Sequence, residues 1–154
     1  MSNSISTTAE RVYRNTDSVI NERIRRKTIA NLHIAVEGGP EGIERRLAEL
    51  DREWDIERCL ETGASSLVLL GTTLGVTAHR RWLLLPLGVA GFLLQHALQG
   101  WCPPLPLLRR LGVRTADEIN QERYALKALS GDFAAVPEDT GMGEAIRAVG
   151  LRRV

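Results

Sequence analysis

Two uncharged stretches in the middle of the chain restrict its fold more than any other feature. Lys, Arg, Asp and Glu are absent from residues 62–79, a run of 18, and from residues 82–108, a run of 27, with only Arg80 and Arg81 between them. At the helical rise, 18 residues extend about 27 Å, close to the hydrocarbon thickness of a bilayer. The pattern predicts an all-α protein with a transmembrane helical hairpin over residues 61–108 and amphipathic helices on either side.

The two stretches differ in apolar character. The first has six strongly apolar side chains among many Gly, Ser and Thr residues. These side chains favour insertion by only about 2–3 kcal/mol, so we do not expect this helix to insert alone. The second is richer in Leu and lies between Trp82 and Trp101, a residue type that favours the headgroup level. Pro86 falls in its first turns, where proline is tolerated best.

The segment before the hairpin predicts helices outside the bilayer. Residues 1–15 are rich in Ser and Thr and are expected to be disordered. Residues 16–60 are expected to form amphipathic helices, of which the first is capped by Thr16 or Asp17 and covers residues 18–36. The apolar residues of this helix recur at roughly helical spacing: Val19, Ile20, Ile24, Leu32 and Val36.

A Gly-Gly-Pro sequence at residues 38–40 predicts a break followed by a second helix. Pro40 suits a first helical position, where its missing N–H costs nothing. No breaker separates this helix from the first uncharged stretch, so one continuous helix from Glu41 into the membrane is an open alternative. Its apolar stripe has spacings of 4, 3 and 4 and consists of Ile43, Leu47, Leu50 and Trp54.

Residues 109–132 predict one further amphipathic helix after the hairpin. Thr115 and Glu118 have the spacing of a capping box, in which each side chain accepts the other residue's backbone N–H. Residues 133–154 contain proline and several glycines and are expected to be a flexible tail. The apolar side of the predicted helix is supplied by Ile119, Leu126 and Leu129.

Composition excludes several classes of protein. A net charge of +1 and an aromatic content of 5% argue against a nucleic-acid partner. Two cysteines are too few for a disulfide-stapled scaffold, and their spacing matches no zinc pattern, so neither a metal nor another cofactor is predicted. Residues 1–15 lack an apolar core of signal-peptide length, so we expect the internal hairpin to direct insertion. No catalytic motif is present, and we do not predict an enzyme.

A soluble core is the main alternative to a membrane span. A buried helix needs apolar neighbours on every side, and the flanking helices offer only narrow apolar stripes. The length of the two stretches and their lack of charge therefore favour the membrane.

Small residues are placed to let the two helices approach closely. Gly71 and Gly75 have the GxxxG spacing, and Gly88 and Gly91 lie on the second helix. Helices in lipid associate by close backbone approach, which glycine permits. Because glycine is common in membrane helices, its background frequency explains the spacing equally well.

Basic residues set the expected orientation. The short loop carries two arginines, Arg80 and Arg81, whereas eight lie near the outer ends of the hairpin. The positive-inside rule then places both termini in the cytoplasm. The eight are Arg45, Arg46, Arg52, Arg58, Arg109, Arg110, Arg114 and Arg123.

Residues 92–103, Phe-Leu-Leu-Gln-His-Ala-Leu-Gln-Gly-Trp-Cys-Pro, follow a Gly-rich span and resemble the YgaP-like inner-membrane domain. That family is a two-helix bacterial domain of unknown function, sometimes fused to a rhodanese sulfurtransferase. The resemblance covers residues 60–112, and its most specific feature is Gly-Trp-Cys-Pro at residues 100–103. It implies the bacterial cytoplasmic (inner) membrane, cytoplasmic termini and dimerisation. The sequence has no rhodanese domain, so sulfurtransferase activity is not carried over.

Two cysteines and a histidine are the candidate chemical groups. Cys59 and Cys102 lie 21 and 22 residues from Arg80 in the loop, so an antiparallel hairpin brings both to the same membrane face. His96 precedes Cys102 by about a turn and a half, and a protonated imidazole nearby would lower a thiol pKa. On this interpretation, the cysteines and the histidine would act as a persulfide carrier, a redox pair or a transient metal site.

A structural role is the alternative for the same residues. Cysteine often serves as a small apolar filler, and a cytoplasmic face keeps thiols reduced. His96, together with Gln95 and Gln99, would then only form hydrogen bonds at the headgroup level or between helices.

Three functions remain open on the sequence. The first is a small integral inner-membrane protein that acts as an interaction or scaffold module, with the lipid bilayer, a second copy of the chain and an unidentified protein as partners. The second is a thiol- or persulfide-handling accessory of sulfur metabolism that uses Cys102. The third is a soluble helical regulator.

Overall fold

The computed structural model describes residues 10–133, and all regular secondary structure within them is helical. The predicted all-α class is therefore confirmed for this part of the chain, and the predicted tail falls outside the described residues from 134 onward. The described elements are α1 (Arg11–Arg14), α2 (Ser18–Glu37), α3 (Gly39–Leu50), α4 (Ile56–Thr77), a 3₁₀ turn (Arg80–Leu83), α5 (Leu84–Gln99), α6 (Leu105–Arg110) and α7 (Ala116–Ser130).

The chain divides into two compact units. Within the described residues, the first unit comprises residues 10–26 and 54–118, and the second comprises residues 27–53 and 119–133. Each unit has its own buried cluster of apolar side chains.

The first unit contains the two uncharged stretches, which form α4 and the 3₁₀ turn with α5. The second stretch returns along the first, so that Gly75 lies against Leu83 and Gly71 lies against Pro86. A Cβ atom at residue 71 would lie 2.6 Å from Cδ of the proline, so this close approach requires glycine. The other two predicted packing glycines, Gly88 and Gly91, have no neighbouring atom within 4 Å of the position of a Cβ.

A sharp break separates α3 from α4. Asp55 caps α4 by accepting the N–H of Arg58 at 2.7 Å, and the N–H of Ile56 donates to the carbonyl of Arg114 at 3.0 Å. A single helix from Glu41 into the membrane is therefore wrong. Asp55 itself is a signal for the break, since aspartate is among the preferred N-caps.

Residues 11–14 are helical, contrary to the expectation that residues 1–15 are disordered; residues 1–9 lie outside the described part. Packing explains the order of α1, because Val12 is buried in the core of the first unit. That core is a single cluster of Val12, Ile56, Leu60, Cys102 and Leu105.

In the second unit, the predicted break at residues 38–40 separates α2 from α3. Gly39 adopts a φ of +63°, which favours glycine, and Pro40 lies in the first turn of α3, as predicted. A Cβ atom at Gly42 would lie 2.5 Å from the carbonyl oxygen of Ala35, so α2 and α3 pack in close contact. The core of this unit consists of Ala35, Ile43, Leu50, Ile119 and Leu126.

The predicted apolar stripes are wrong at several positions, because some of their residues are exposed and other residues are buried instead. Asn21, a polar residue, takes an inward position on α2, where its side chain donates to the carbonyls of Tyr13 and Thr16. Ala35 is buried because α3 approaches so closely, a role that its small size makes hard to recognise. Among the predicted stripe residues, the exposed ones are Val19, Val36, Trp54 and Leu129.

The capping box before α7 is confirmed. The carboxylate of Glu118 accepts the N–H of Thr115 at 2.9 Å, and the hydroxyl of Thr115 accepts the N–H of Glu118 at 3.2 Å. The short helix α6, at the end of the second uncharged stretch, was not predicted.

Candidate membrane anchor and thiol cleft

Two helical segments are long and apolar enough to cross a membrane. Ile56–Thr77 has 22 residues and Arg80–Gln99 has 20, each with a mean hydropathy of 1.3. In each segment an 18-residue stretch is apolar enough for a span. Only 17% of this stretch is buried in the first segment, and 6% in the second. The core helix of a soluble protein would be mostly buried, so the low burial distinguishes these segments from such a core.

Large apolar side chains cover the outer surfaces of these two segments. Soluble monomers rarely expose a contiguous apolar patch larger than a few hundred Å², and larger patches mark membrane or protein contacts. The more exposed of these side chains are Leu69, Leu70, Val76, Leu84, Leu87, Phe92, Leu94 and Leu98.

Both cysteines line one cleft formed by α4, α5 and residues 102–108. The cleft has a volume of about 310 Å³, and its walls are almost entirely apolar. Both thiols are free. The lining residues are Cys59, Leu60, Gly63, Ala64, Leu67, Val89, Phe92, Leu93, Cys102, Pro103, Pro104 and Leu108.

Cys102 is only 3% exposed. Burial raises its pKa above the ordinary value, and the negative charge of Glu57 acts in the same direction, whereas the backbone N–H of Leu105 lowers it. The raised pKa is opposite to the lowering that we expected from a nearby imidazole. At neutral pH the thiol is therefore protonated and is a poor nucleophile.

His96 is buried near the end of α5 and faces an acidic residue that sequence reasoning missed. Its Nε2 atom lies 4.0 Å from Oε1 of Glu57 in the first turn of α4. The Nδ1 atom of His96 and the Oε2 atom of Glu57 are buried without a hydrogen-bond partner. Glu57 lies two residues before Cys59, and this proximity is the only sequence signal that could have pointed to it.

Helix α1 lies across the carboxyl end of α5. The guanidinium of Arg11 donates to the carbonyl of Ala97, and the side-chain amide of Asn15 donates to the carbonyl of Gln99 at 2.9 Å. Gly100 follows with a φ of +72°, and a Cβ there would lie 2.4 Å from Cβ of Arg11. These contacts supply partners for carbonyls that the end of a helix leaves unpaired.

Arg109 is the most deeply buried cation of the first unit, at 1% exposure. Its guanidinium binds the Glu118 carboxylate with two hydrogen bonds of 2.7 and 2.8 Å. It also donates to Asn21 at 2.8 Å, to Thr16 at 3.1 Å and to the carbonyl of Val113 at 3.1 Å. We had counted Arg109 among the basic residues at the membrane surface, but it joins the segments of the first unit instead.

A similar pair lies in the second unit. The Arg46 guanidinium donates to the buried carboxylate of Glu122 at 2.8 and 3.3 Å and to Glu49 at 2.8 Å. The pair of Arg46 with Glu122 joins parts of the chain that are 76 positions apart.

Within residues 10–133, no group of three or more His, Cys, Asp or Glu side chains is placed to hold a metal ion. No family model, curated protein or solved structure matches the chain. The likeness to the YgaP-like domain stays a prediction from residues 92–103.

Proposed function

We propose that the chain is an integral inner-membrane protein in which α4 and the 3₁₀ turn with α5 form a transmembrane hairpin, and that it acts as a membrane-anchored interaction or scaffold module. The observation that carries the proposal is that both segments are apolar yet exposed, with only 17% and 6% of their 18-residue apolar windows buried. In water this surface would be unfavourable by about 25 cal/mol for each Å², whereas hydrocarbon removes the cost.

The rest of the first unit supports anchoring rather than catalysis. Outside α4 and α5, the buried Arg109 is held by five hydrogen bonds to neighbouring groups. A rigid polar base beside an apolar hairpin suits a module that holds a partner near the membrane. Both termini would lie in the cytoplasm, because the loop carries two arginines against seven at the outer ends once the buried Arg109 is left out of the count.

We also propose that the protein is a homodimer. Gly88 and Gly91 on α5 are not covered by the chain itself, and they lie among exposed leucines. Close approach of a second α5 at this face would give the backbone packing by which helices associate in lipid. Oxidative crosslinking of a Gly91→Cys variant in a cysteine-free chain should trap a dimer, whereas Leu69→Cys on the outer face of α4 should not.

Alkaline extraction tests the anchor directly. Membranes from cells that express the chain are washed at high pH, which releases peripheral proteins but not integral ones. We expect the protein in the pellet. Recovery in the supernatant without detergent would overturn the proposal and favour the soluble regulator.

Cysteine labelling tests the orientation. In a chain without Cys59 and Cys102, a single cysteine is introduced either at Ala78, next to the loop, or at Ser130, at the end of α7. An impermeant maleimide should label residue 78 in intact cells and residue 130 only after lysis. The reverse pattern would refute cytoplasmic termini.

A thiol- or persulfide-handling function using Cys102 is the second candidate. The shared cleft favours it, because Cys59 and Cys102 line the same walls. The raised pKa of Cys102 weighs against rapid thiolate chemistry at neutral pH. Alkylation of Cys102 at pH 7 as fast as that of a low-pKa thiol would favour this candidate, and slow alkylation would count against it.

A further inference from the structure

The cleft that Cys59 and Cys102 line has the size and the walls of a site for an apolar chain. All twelve described residues that form its walls are uncharged, and its volume is about 310 Å³. Pockets that take small ligands measure about 300–1,000 Å³. Cavities with apolar walls exclude water and accept apolar molecules. The cleft therefore suits a hydrocarbon group.

The cleft extends along the hairpin over nearly the depth of one lipid leaflet. Leu67 and Val89 lie near the middle of the two candidate spans, whereas Cys59 and Cys102 lie at the end opposite the loop. Leu67 follows Cys59 by 8 residues, which is about 12 Å at the helical rise. Half of the hydrocarbon core of a bilayer is about 15 Å thick. A chain in the cleft would thus run parallel to the acyl chains of the surrounding lipid.

The space arises because α4 and α5 are in close contact only near the loop. A Cβ atom at Gly71 or Gly75 would clash with α5 or with the turn before it, whereas nothing lies within 4 Å of a Cβ position at Gly63. If this space stayed empty, its walls would lose dispersion contacts. An occupant of apolar chemistry restores those contacts.

The cleft is continuous with the surface that the proposed anchor exposes to lipid. Leu67, Phe92 and Leu93 line the cleft, and each is also 38–50% exposed. The proposed contact with a second copy is at Gly88 and Gly91, which are not among the cleft walls. A second copy at that face would leave the cleft open, so lipid chains are the apolar groups that meet it.

Groups that suit a phosphate lie at the same end of the hairpin as the cysteines. Arg58 directly precedes Cys59, is exposed, and lies over the ring of Trp54 at 4.4 Å from the ring centroid. A guanidinium binds phosphate through charge-assisted hydrogen bonds, and tryptophan favours the headgroup level. Arg110 is also exposed and follows the wall residue Leu108 by two positions.

We propose that the cleft binds one phospholipid of the bilayer, with an acyl chain between α4 and α5 and the phosphate at Arg58. The inference rests on the proposed transmembrane hairpin and adds a specific ligand to it. The bound acyl chain completes the packing of the hairpin at the end where its own helices leave space.

The test counts the phospholipids that stay bound to the purified full chain. The chain is extracted from membranes in an uncharged maltoside detergent, washed in the same detergent and measured by native mass spectrometry. We expect one phospholipid to be retained by each chain. Absence of retained phospholipid from the parent chain would overturn the proposal.

Gly63→Phe fills the cleft from α4, because a side chain at this position enters open space. Retention should fall at least about fivefold, since a second group in a filled site overpacks it. Val89→Phe fills the cleft from the wall on α5 and should have the same effect, so it decides the matter if Gly63→Phe loses its helicity. Parent-like retention in the filled variants would overturn the site.

Ser65→Phe is the matched control. Ser65 is exposed on α4, two residues from Gly63, and is not a cleft wall. This variant should retain phospholipid as the parent does. Arg58→Ala should lower retention about tenfold, because a hydrogen bond to a charged group is lost, and unchanged retention would overturn the assignment of the phosphate to Arg58.

Alkaline extraction of the same chains separates this proposal from the hairpin. The parent and Gly63→Phe should both stay in the membrane pellet, because the substitution is apolar. A chain that stays in the pellet but carries no phospholipid after purification would overturn the lipid site alone. Release of the parent at high pH would overturn the hairpin and the lipid site together.

Discussion

Replacement of Leu87 by arginine tests whether α5 lies in lipid or in water. Leu87 is 69% exposed and lies near the middle of the segment Arg80–Gln99. If α5 lay in water, the guanidinium of an arginine at this position would be hydrated, and surface substitutions of this kind change stability by at most about 0.5 kcal/mol. The residue makes no polar contact that the substitution would remove.

In a bilayer the same substitution is costly. A leucine at the centre of a span favours insertion by about 0.5 kcal/mol, whereas an arginine opposes it by about 2.5–3.5 kcal/mol. The difference of about 3–4 kcal/mol exceeds the 2–3 kcal/mol that the apolar residues of the first stretch contribute. Because that stretch is too weak to insert alone, the loss is expected to reduce insertion of the whole hairpin.

The assay compares the fraction of each variant that resists alkaline extraction from membranes. Leu129→Arg on α7 is the matched control, since Leu129 is 60% exposed but lies outside both candidate spans. We expect Leu87→Arg to leave the integral fraction and Leu129→Arg to remain in it. If Leu87→Arg stays as firmly integrated as the wild type, the assignment of α5 to the bilayer is refuted.

Three further predictions follow from packing and charge. Gly71→Ala places a methyl group against the proline ring of α5 and should destabilise the hairpin by about 1–3 kcal/mol in detergent unfolding, whereas Gly63→Ala, with open space around it, should not. Arg109→Met leaves a carboxylate without its partner and should cost about 3 kcal/mol in denaturant unfolding, and Arg110→Met at an exposed position should cost less than 0.5 kcal/mol. Hydrogen bonds from two arginines lower the pKa of Glu22 from 4.5 to about 2, so its contribution to the helix is complete above pH 4.5 and is lost as the pH falls toward 2. Circular dichroism should accordingly show a difference between the wild type and Glu22→Gln that disappears over that interval, and a difference that persists at pH 2 would contradict the ion pairs as its cause.

Local signals predicted much of the fold. The two uncharged stretches, each long enough for a span, form two long apolar helical segments. The Gly-Gly-Pro sequence at residues 38–40 lies at the boundary between α2 and α3. The Thr115 and Glu118 spacing became a working capping box. Each of these features depends on residues within a few positions of one another, so a single sequence contains enough information to predict it.

The candidate site was predicted only in outline. Equal distances from the loop suggested that Cys59 and Cys102 lie at one end of the hairpin, and both line the same cleft. The chemistry expected there was different, because burial raises the pKa of Cys102, and this burial depends on a cluster that brings together residues from distant parts of the chain, such as Val12 and Ile56. Glu57 was missed because its position facing His96 depends on how α5 returns along α4.

The sequence by itself determined where helices form, where they break and which surfaces are apolar, since propensity, capping and the absence of charge act between near neighbours. Tertiary structure decided which polar residues are buried and what covers the thiol. Arg109 meets Asn21 across 88 positions, and Arg46 meets Glu122 across 76. No local pattern distinguishes these arginines from exposed ones, because a charge is stable inside a protein only when distant parts of the chain bring it a partner.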